Sequence, residues 1–259
     1  MPSCANNPTR VEGEYGAGAA IDSLDRMSVA DANRPVALIT GGTRGIGRAI
    51  AEELQSDYHL LIGGRSAESV EAVCAELESA EPFVADLLDD DSLASAAAQL
   101  PDLDVLVHSA GISLKGPIAD VTREQWRQAF EANLFAVADL TARALPGLRR
   151  RRGQVVAINS GSGLFTSPDN AIYSGTKFAL RAFTDVLREE ERGNGVRVSS
   201  VHPGKVDTDM QAEIVEHDGT TYQPELYLRP ESVARAVRAV VDASDDATVE
   251  MVSVRPSRK

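Results

Sequence analysis

The chain has 259 residues, 43% of them hydrophobic, enough to bury one substantial core, and α/β folds of this length commonly form a single domain. A formal net charge of −13 and a pI of about 4.8 argue against nucleic acid or an anionic membrane as partner, because either needs a basic footprint. The two cysteines, Cys4 and Cys74, and the four scattered histidines, His59, His108, His202 and His217, match no disulfide framework or metal-ligand spacing, so no metal is expected.

No apolar run reaches the ~18–20 residues of a membrane span, and the N-terminus has no apolar signal core, so a cytoplasmic protein is expected. Residues 1–33 are rich in small and turn-forming types without sustained periodicity and read as a disordered extension, with a short helix over Ala20–Met27 and Met27 as an alternative start. From Arg34 to the end the pattern alternates. Val36–Thr40 is an apolar run suited to a buried parallel strand, and Ile46, Ile50 and Leu54 share one face of a helix running to Ser56. Then come a strand at His59–Gly63, a helix over Ala67–Ser79, a short strand at Pro82–Ala85, a helix over Asp90–Gln99 and a strand at Asp104–His108. A long helix is predicted over Arg123–Arg150. Its terminal run Arg149-Arg150-Arg151-Arg152 suits the negative end of a helix dipole and reads as structural. Strand Gln154–Ile158, helix Tyr173–Arg192 closed by Gly193 and Gly195, strand Val196–Val201, helix Pro230–Ala243 and strand Thr248–Val254 complete the chain. Such alternation predicts a doubly wound parallel sheet, a Rossmann fold with helices on both faces.

Between the first strand and helix lies Thr40-Gly41-Gly42-Thr43-Arg44-Gly45-Ile46-Gly47, the strand, glycine-rich turn and helix that a dinucleotide phosphate site requires. Gly41 permits the tight turn, Gly45 lets the pyrophosphate approach the backbone, Gly47 lets the helix pack closely, and the helix start offers unpaired N–H groups. At the end of the second strand, where an acidic residue would bind a ribose 2′-hydroxyl, the chain has Gly63-Gly64-Arg65. With Arg44 in the loop and no carboxylate, two cations are available for a 2′-phosphate, and NADP is the expected cofactor.

Tyr173 and Lys177 stand at i and i+4, on one helical face, in Tyr-Ser-Gly-Thr-Lys. An ammonium beside a phenol favours the phenolate and brings a group of pKa ~10 towards use in proton transfer. Ser160, directly after the fifth strand, supplies a hydrogen bond to the same substrate oxygen, and Ser162 is the alternative for that role. This is equipment for carbonyl reduction or alcohol oxidation beside a nicotinamide.

Thr40-Gly-x-x-x-Gly-x-Gly, Ser160, Tyr173-x-x-x-Lys177 and Pro203-Gly204, in this order, resemble the short-chain dehydrogenase/reductase family over about Pro35 to Pro256. The resemblance implies that Asp86 and Leu87 contact the adenine and that Asn133 holds a water linking the lysine to solvent. It also implies that Pro203, Gly204, Val206 and Thr208 belong to the loop binding the nicotinamide carboxamide. The family's Asn-Asn-Ala-Gly is here His108-Ser109-Ala110-Gly111, with Ser109 shorter than the usual asparagine and Ala110 and Gly111 keeping the backbone close to the cofactor. The stretch from Thr221 to Ala234 is similar to NADP-dependent 3-hydroxy acid dehydrogenases and sepiapterin-reductase-like members. The implied reaction is hydride transfer between NADP(H) and a small carbonyl or secondary alcohol. A ketoreductase acting on a carrier-tethered or polyketide-like substrate, and a non-catalytic NADP(H)-sensing regulator, remain alternatives. Leu114, Leu164, Phe165, Met210 and Tyr222 are candidate pocket residues. Trp126, Phe130, Leu134, Val137 and Leu140, with Phe178, Phe183 and Leu187, are expected to carry apolar surface that pairs copies into a homodimer or homotetramer, as the family's equivalent helices do.

Overall fold

In the computed structural model of the chain, which describes residues 34–257, seven short apolar runs pair into one parallel sheet of order β3-β2-β1-β4-β5-β6-β7. The expected extension over 1–33, including Ala20–Met27, lies outside the described residues. The strands are β1 (Val36–Thr40), β2 (His59–Gly64), β3 (Ala80–Val84), β4 (Val105–His108), β5 (Gln154–Ile158), β6 (Arg197–Pro203) and β7 (Met251–Val254). The helices are α1 (Gly45–Leu54), α2 (Ala67–Cys74), α3 (Asp90–Ala97), α4 (Arg123–Phe130), α5 (Ala136–Arg151), α6 (Ala171–Glu191), α7 (Asp209–His217) and α8 (Pro230–Val241).

The period-two alternation of a strand gives the sheet two buried faces. Ala37 and Ile39 of β1, with Leu60 and Ile62 of β2 and Val105 and Val107 of β4, pack against Ile50 and Leu54 of α1 and Val233 and Val237 of α8. Leu38, Leu61, Leu106 and Val155 face the other way, against Leu93 of α3, Leu140 and Leu148 of α5 and Leu187 of α6. The strand order reverses direction between β1 and β4, so the C-terminal ends of those two strands open a crevice where ligands of this architecture sit.

Local chemistry sets most helix starts. Ser66 and Asp89 cap α2 and α3 through Ser69 N and Ser92 N, and Thr122 with Gln125 forms a capping box on α4. By contrast α1 starts from extended Arg44 with no side-chain cap and no acidic residue in its first turn.

Beyond shifts of a few residues at element ends, the structure departs from the sequence expectation in these elements. The helix expected over Arg123–Arg150 is interrupted by a π turn at Glu131–Phe135. Val137 and Leu140 are buried in the core, as Leu187 is on α6, and Trp126, Phe130, Leu134 and Phe183 are half-buried; the exposed large apolar side chains of these helices are Phe178, as expected, with Phe135 and Val186. The helix after Ala67 stops at Cys74, and β3 begins at Ala80, earlier than expected, to reach its register with Leu60. A further helix, α7, lies between Pro203 and Pro230, its first turn capped by Thr208. The basic run at the end of α5 is engaged inside the molecule: Arg149 pairs with Glu191, Arg150 with Asp102 and Arg151 with Asp104.

Candidate active site

At the crevice the backbone is packed too closely for side chains. Gly41 has φ +63°, and a Cβ there would lie 2.9 Å from Ala110 Cα; a Cβ on Gly47 would lie 2.2 Å from the Gly41 carbonyl oxygen. Thr40 Oγ1 draws the two strand ends together by accepting from Ser109 N at 3.1 Å and Ala110 N at 3.2 Å. His108 turns away from the crevice and donates from Nε2 to Thr141 Oγ1 at 2.8 Å, while burial pushes its pKa down to about 3. The glycine turn, the uncapped start of α1 and the bare backbone at Ala110 and Gly111 fit a dinucleotide pyrophosphate.

Towards the β2 end, Arg65 is exposed and forms no ion pair among the described residues. Arg44 reaches across to Asp209 at 3.2 Å, with both side chains largely in solvent. Asp86 N donates to Ser92 Oγ at 3.0 Å, and Asp86 Oδ1 accepts from Leu88 N at 3.0 Å, which holds Asp86 and Leu87 half-buried beyond β3. Pro203 ends β6, Gly204 N donates to Val254 O, and Thr208 comes within 3.4 Å of where a Gly45 Cβ would be. The segment from Pro203 to Thr208, with Val206 buried, therefore meets the glycine turn.

Ser160, Tyr173 and Lys177 converge. Ser160 stands in extended conformation directly after β5, and its hydroxyl hydrogen-bonds the Tyr173 phenol. Ser162 Oγ accepts from Asn170 Nδ2 at 3.0 Å, and Ser162 N donates to Ser160 Oγ at 3.1 Å. Lys177 is 5% exposed, donates from Nζ to Ile158 O at 3.1 Å and lies 5.7 Å from the centre of the Tyr173 ring. Burial brings its pKa down to about 8. The phenol does not follow the direction expected from the lysine: burial raises its pKa above the ordinary value, and the Ser160 hydrogen bond opposes this only in part. Lys177 stands over the ring rather than bonding the hydroxyl, so it does not cancel the desolvation.

Asn133 sits in the π turn with its whole amide in use. Oδ1 accepts from Ile112 N at 2.9 Å, and Nδ2 donates to Ile112 O at 2.9 Å and Thr176 Oγ1 at 3.0 Å. The side chain thus ties the segment after β4 to α6, beside Gly111, where a Cβ would meet Asn133 Oδ1 at 2.9 Å. π turns recur at functional sites, and apolar periodicity alone does not reveal a one-residue slip. Of the candidate pocket residues, Leu114, Leu164 and Met210 are half-buried and Phe165 is exposed beneath the Arg255 guanidinium. Tyr222 donates to Asp207 and has its pKa pushed up to about 12 by burial and that carboxylate. The sequence reading missed the Thr40 hydroxyl and the polar cluster Asn159, Ser200 and His202 behind Ser160; its signal is a set of polar residues inside otherwise apolar strands.

The sequence model of the family described as short chain dehydrogenase matches residues 35–219. The chain belongs to that family. It is 37% identical over 180 residues to serine 3-dehydrogenase of Agrobacterium fabrum, covering 67% of this chain and 72% of that one. To the mouse dehydrogenase/reductase SDR family member 7B it is 34% identical over 201 residues, covering 72% of this chain, which spans 62% of the mouse protein. Among solved structures, the alcohol dehydrogenase of the archaeon Thermococcus sibiricus complexed with 5-hydroxy-NADP superposes with a TM-score of 0.79 at 28% identity, covering 88% of this chain and 98% of that one. The short-chain dehydrogenase fold is that of an oxidoreductase, and the relatives are dehydrogenases and reductases. No helix among the described residues is long and apolar enough to cross a membrane.

The buried ammonium of this site sets a pH-dependent cost. Because the folded pKa of about 8 lies below the ordinary 10.5, the unfolded chain binds more protons between those values, so stability rises with pH across that window. Lys177→Met is expected to raise the melting temperature at pH 7, by a gain on the order of 1–3 kcal/mol that shrinks as the pH passes 8 towards 10.5. Calorimetric unfolding of both proteins across this range checks it; a Lys177→Met variant less stable at pH 7 defeats it.

Proposed function

We propose that the protein is an NADP(H)-dependent oxidoreductase that interconverts a small alcohol of the 3-hydroxy acid type and the corresponding carbonyl compound. The observation that carries this reading is the convergence of Ser160, Tyr173 and Lys177 beside the glycine turn. The residues that would hold the dinucleotide are the turn from Gly41 to Gly47 at the pyrophosphate, Arg65 and Arg44 at the 2′-phosphate, Asp86 and Leu87 at the adenine, Ser109 to Gly111 along its middle, and Pro203 to Thr208 at the nicotinamide end. When bound, the nicotinamide supplies or accepts the hydride. Tyr173 gives a proton to the carbonyl oxygen in reduction and takes it from the alcohol in oxidation. Ser160 donates a hydrogen bond to that oxygen, so charge developing there meets a donor already in place. Lys177 keeps a positive potential at the phenol while protonated and would bind the nicotinamide ribose. Asn133 holds the wall of the site by fixing Ile112 to α6.

The 2′-phosphate reading rests on the free Arg65 and on the Arg44–Asp209 pair, which is exposed enough to yield to a phosphate fork. The similarity to serine 3-dehydrogenase supports a 3-hydroxy acid. Exposed Phe135, Phe178 and Val186 support pairing of copies through α6 and the π turn.

Oxidation of L-serine, 3-hydroxypropionate and 3-hydroxybutyrate with NADP, and reduction of methyl acetoacetate with NADPH, test the reaction class; NADP(H) binding without turnover of any of them would point to a sensor. Arg65→Ala is expected to weaken NADPH binding about ten- to a hundredfold while leaving NADH nearly unchanged. Isothermal titration with both cofactors decides, and equal losses would remove Arg65 from the 2′-phosphate site. Tyr173→Phe should keep the fold and the cofactor affinity and lower kcat by ~10²–10⁴. Wild-type turnover in that variant would rule out the proposed proton donor. A homodimer or homotetramer is expected by light scattering at micromolar concentration, with Val186→Asp shifting it towards monomer; a fully active wild-type monomer would overturn the pairing.

A further inference from the structure

Behind Ser160 a ring of hydrogen bonds closes on the backbone of that one residue, through the N–H of one peptide unit and the C=O of the next. Ser160 N donates to Asn159 Oδ1 at 2.8 Å. Asn159 Nδ2 donates to Ser200 Oγ at 3.5 Å, the longest of the four links, and also to Lys177 O at 3.2 Å. Ser200 Oγ and His202 Nε2 are 2.8 Å apart, and His202 Nδ1 lies 2.9 Å from Ser160 O. A carbonyl oxygen only accepts, so Nδ1 carries the ring proton. Burial holds this imidazole below its ordinary pKa and hence neutral, which leaves Nε2 as the acceptor of the Ser200 hydroxyl proton. Every donor in the ring therefore points the same way round, and no member has a second arrangement that satisfies all four links.

Asn159, directly after β5, and Ser200 and His202, in the C-terminal half of β6, are 4%, 0% and 0% exposed. Burying three polar side chains where aliphatic ones would pack costs stability unless each is satisfied, and here each is satisfied by aiming at Ser160 or at one another. The ring joins three elements: the end of β5, the end of β6 and, through Lys177 O, the helix that carries Tyr173. Arg255 closes it from outside, donating from Nη1 to His202 O at 3.0 Å with its guanidinium against Phe165. A Cβ on Gly161 would lie 3.1 Å from Arg255 Nη1, so the residue after Ser160 is covered as well.

We propose that His202 and Ser200, with Asn159, are positioning residues that fix the backbone of Ser160 on both sides, at its N–H and at its C=O, and so aim the Ser160 hydroxyl at Tyr173 and the substrate oxygen. They touch neither substrate nor cofactor and act only through Ser160. The inference rests on the reading of Ser160 as the donor to the substrate oxygen, and the test is built to separate the two.

Ser200→Ala removes one hydroxyl from the ring without changing the shape of the strand. Its kcat with NADPH and methyl acetoacetate is expected to fall about tenfold, with the NADPH dissociation constant unchanged, because a slight misplacement of a reacting donor is felt mainly in the chemical step. In the Ser160→Ala background the same change should cost less than about twofold, since there is no hydroxyl left to aim. His202→Asn, which keeps an N–H donor near the Ser160 carbonyl, should retain more activity than His202→Leu. A second arm needs no substrate: the Tyr173 phenol, followed by ¹³C NMR of labelled tyrosine, should titrate higher in Ser200→Ala and in Ser160→Ala, and no higher in the double variant than in Ser160→Ala. Equal kcat losses from Ser200→Ala in both backgrounds, or an unmoved Tyr173 titration in Ser200→Ala, would overturn the positioning role. If Ser160→Ala alone changed neither turnover nor the Tyr173 titration, the reading of Ser160 would fall and this inference with it. Absence of turnover in the wild type would count against the proposed reaction, and the titration would then decide the ring by itself.

Discussion

The arrangement of the site depends on a buried ammonium. Lys177 has lost almost all contact with water, and the fall of its pKa from 10.5 to about 8 corresponds to roughly 3 kcal/mol of unfavourable desolvation. One described hydrogen bond, to Ile158 O, returns about 1.5–3 kcal/mol at best for a charged donor. The position is therefore kept at a net cost to the fold, the pattern of a site arranged for something other than stability. What surrounds it follows from that. Gly111 leaves room beside the ammonium, Asn133 braces the segment that carries Gly111, and the π turn is what delivers Asn133 to that segment.

Strand and helix content was legible because burial on both faces of the sheet writes itself as uninterrupted aliphatic runs, as in Val36–Thr40 and Gln154–Ile158. The glycine turn was legible because the approaches at Gly41 and Gly47 leave no space for a Cβ. Three things were not. The π turn has no compositional mark, and the burial of Val137 and Leu140 in the core is not told apart from an outward apolar face by spacing alone. Helix α7 depends on a Thr208 cap and on tertiary contacts rather than on a strong apolar stripe. The direction of the Tyr173 shift depends on burial, which spacing along a chain does not report. The polar residues of β6 were visible as letters, yet their meaning lies in partners just after β5, 41 residues away in sequence for the Asn159–Ser200 link.

A strongly acidic chain that is read as binding a polyanionic cofactor needs its cations placed locally. The arginines at the end of α5 do not serve this purpose, since Asp102, Asp104 and Glu191 already hold them. Arg65 has no such partner among the described residues, and the exposed pair between Arg44 and Asp209 is worth at most about 1 kcal/mol in water. A planar phosphate fork outweighs a pair of that kind. Asp209 opens α7, so releasing Arg44 would also release the first turn of that helix from the phosphate turn. Net charge and cofactor choice are thus separate questions, decided at different length scales.

The phenol is the point where these effects meet. Burial favours its neutral form, while the Ser160 hydrogen bond and a protonated Lys177 favour the anion. With burial prevailing, Tyr173 holds its proton through the neutral range, the form that the proposed reaction needs to protonate a carbonyl oxygen. Oxidation needs the phenolate, which higher pH favours, but the ammonium that helps to sustain it loses its own charge near pH 8. The two titrations oppose each other in that direction and do not in the other. On the proposed reading, reduction is the reaction that this ordering of proton affinities serves near neutrality, and a hydrogen bond held on line by the ring behind Ser160 is what keeps oxidation within reach.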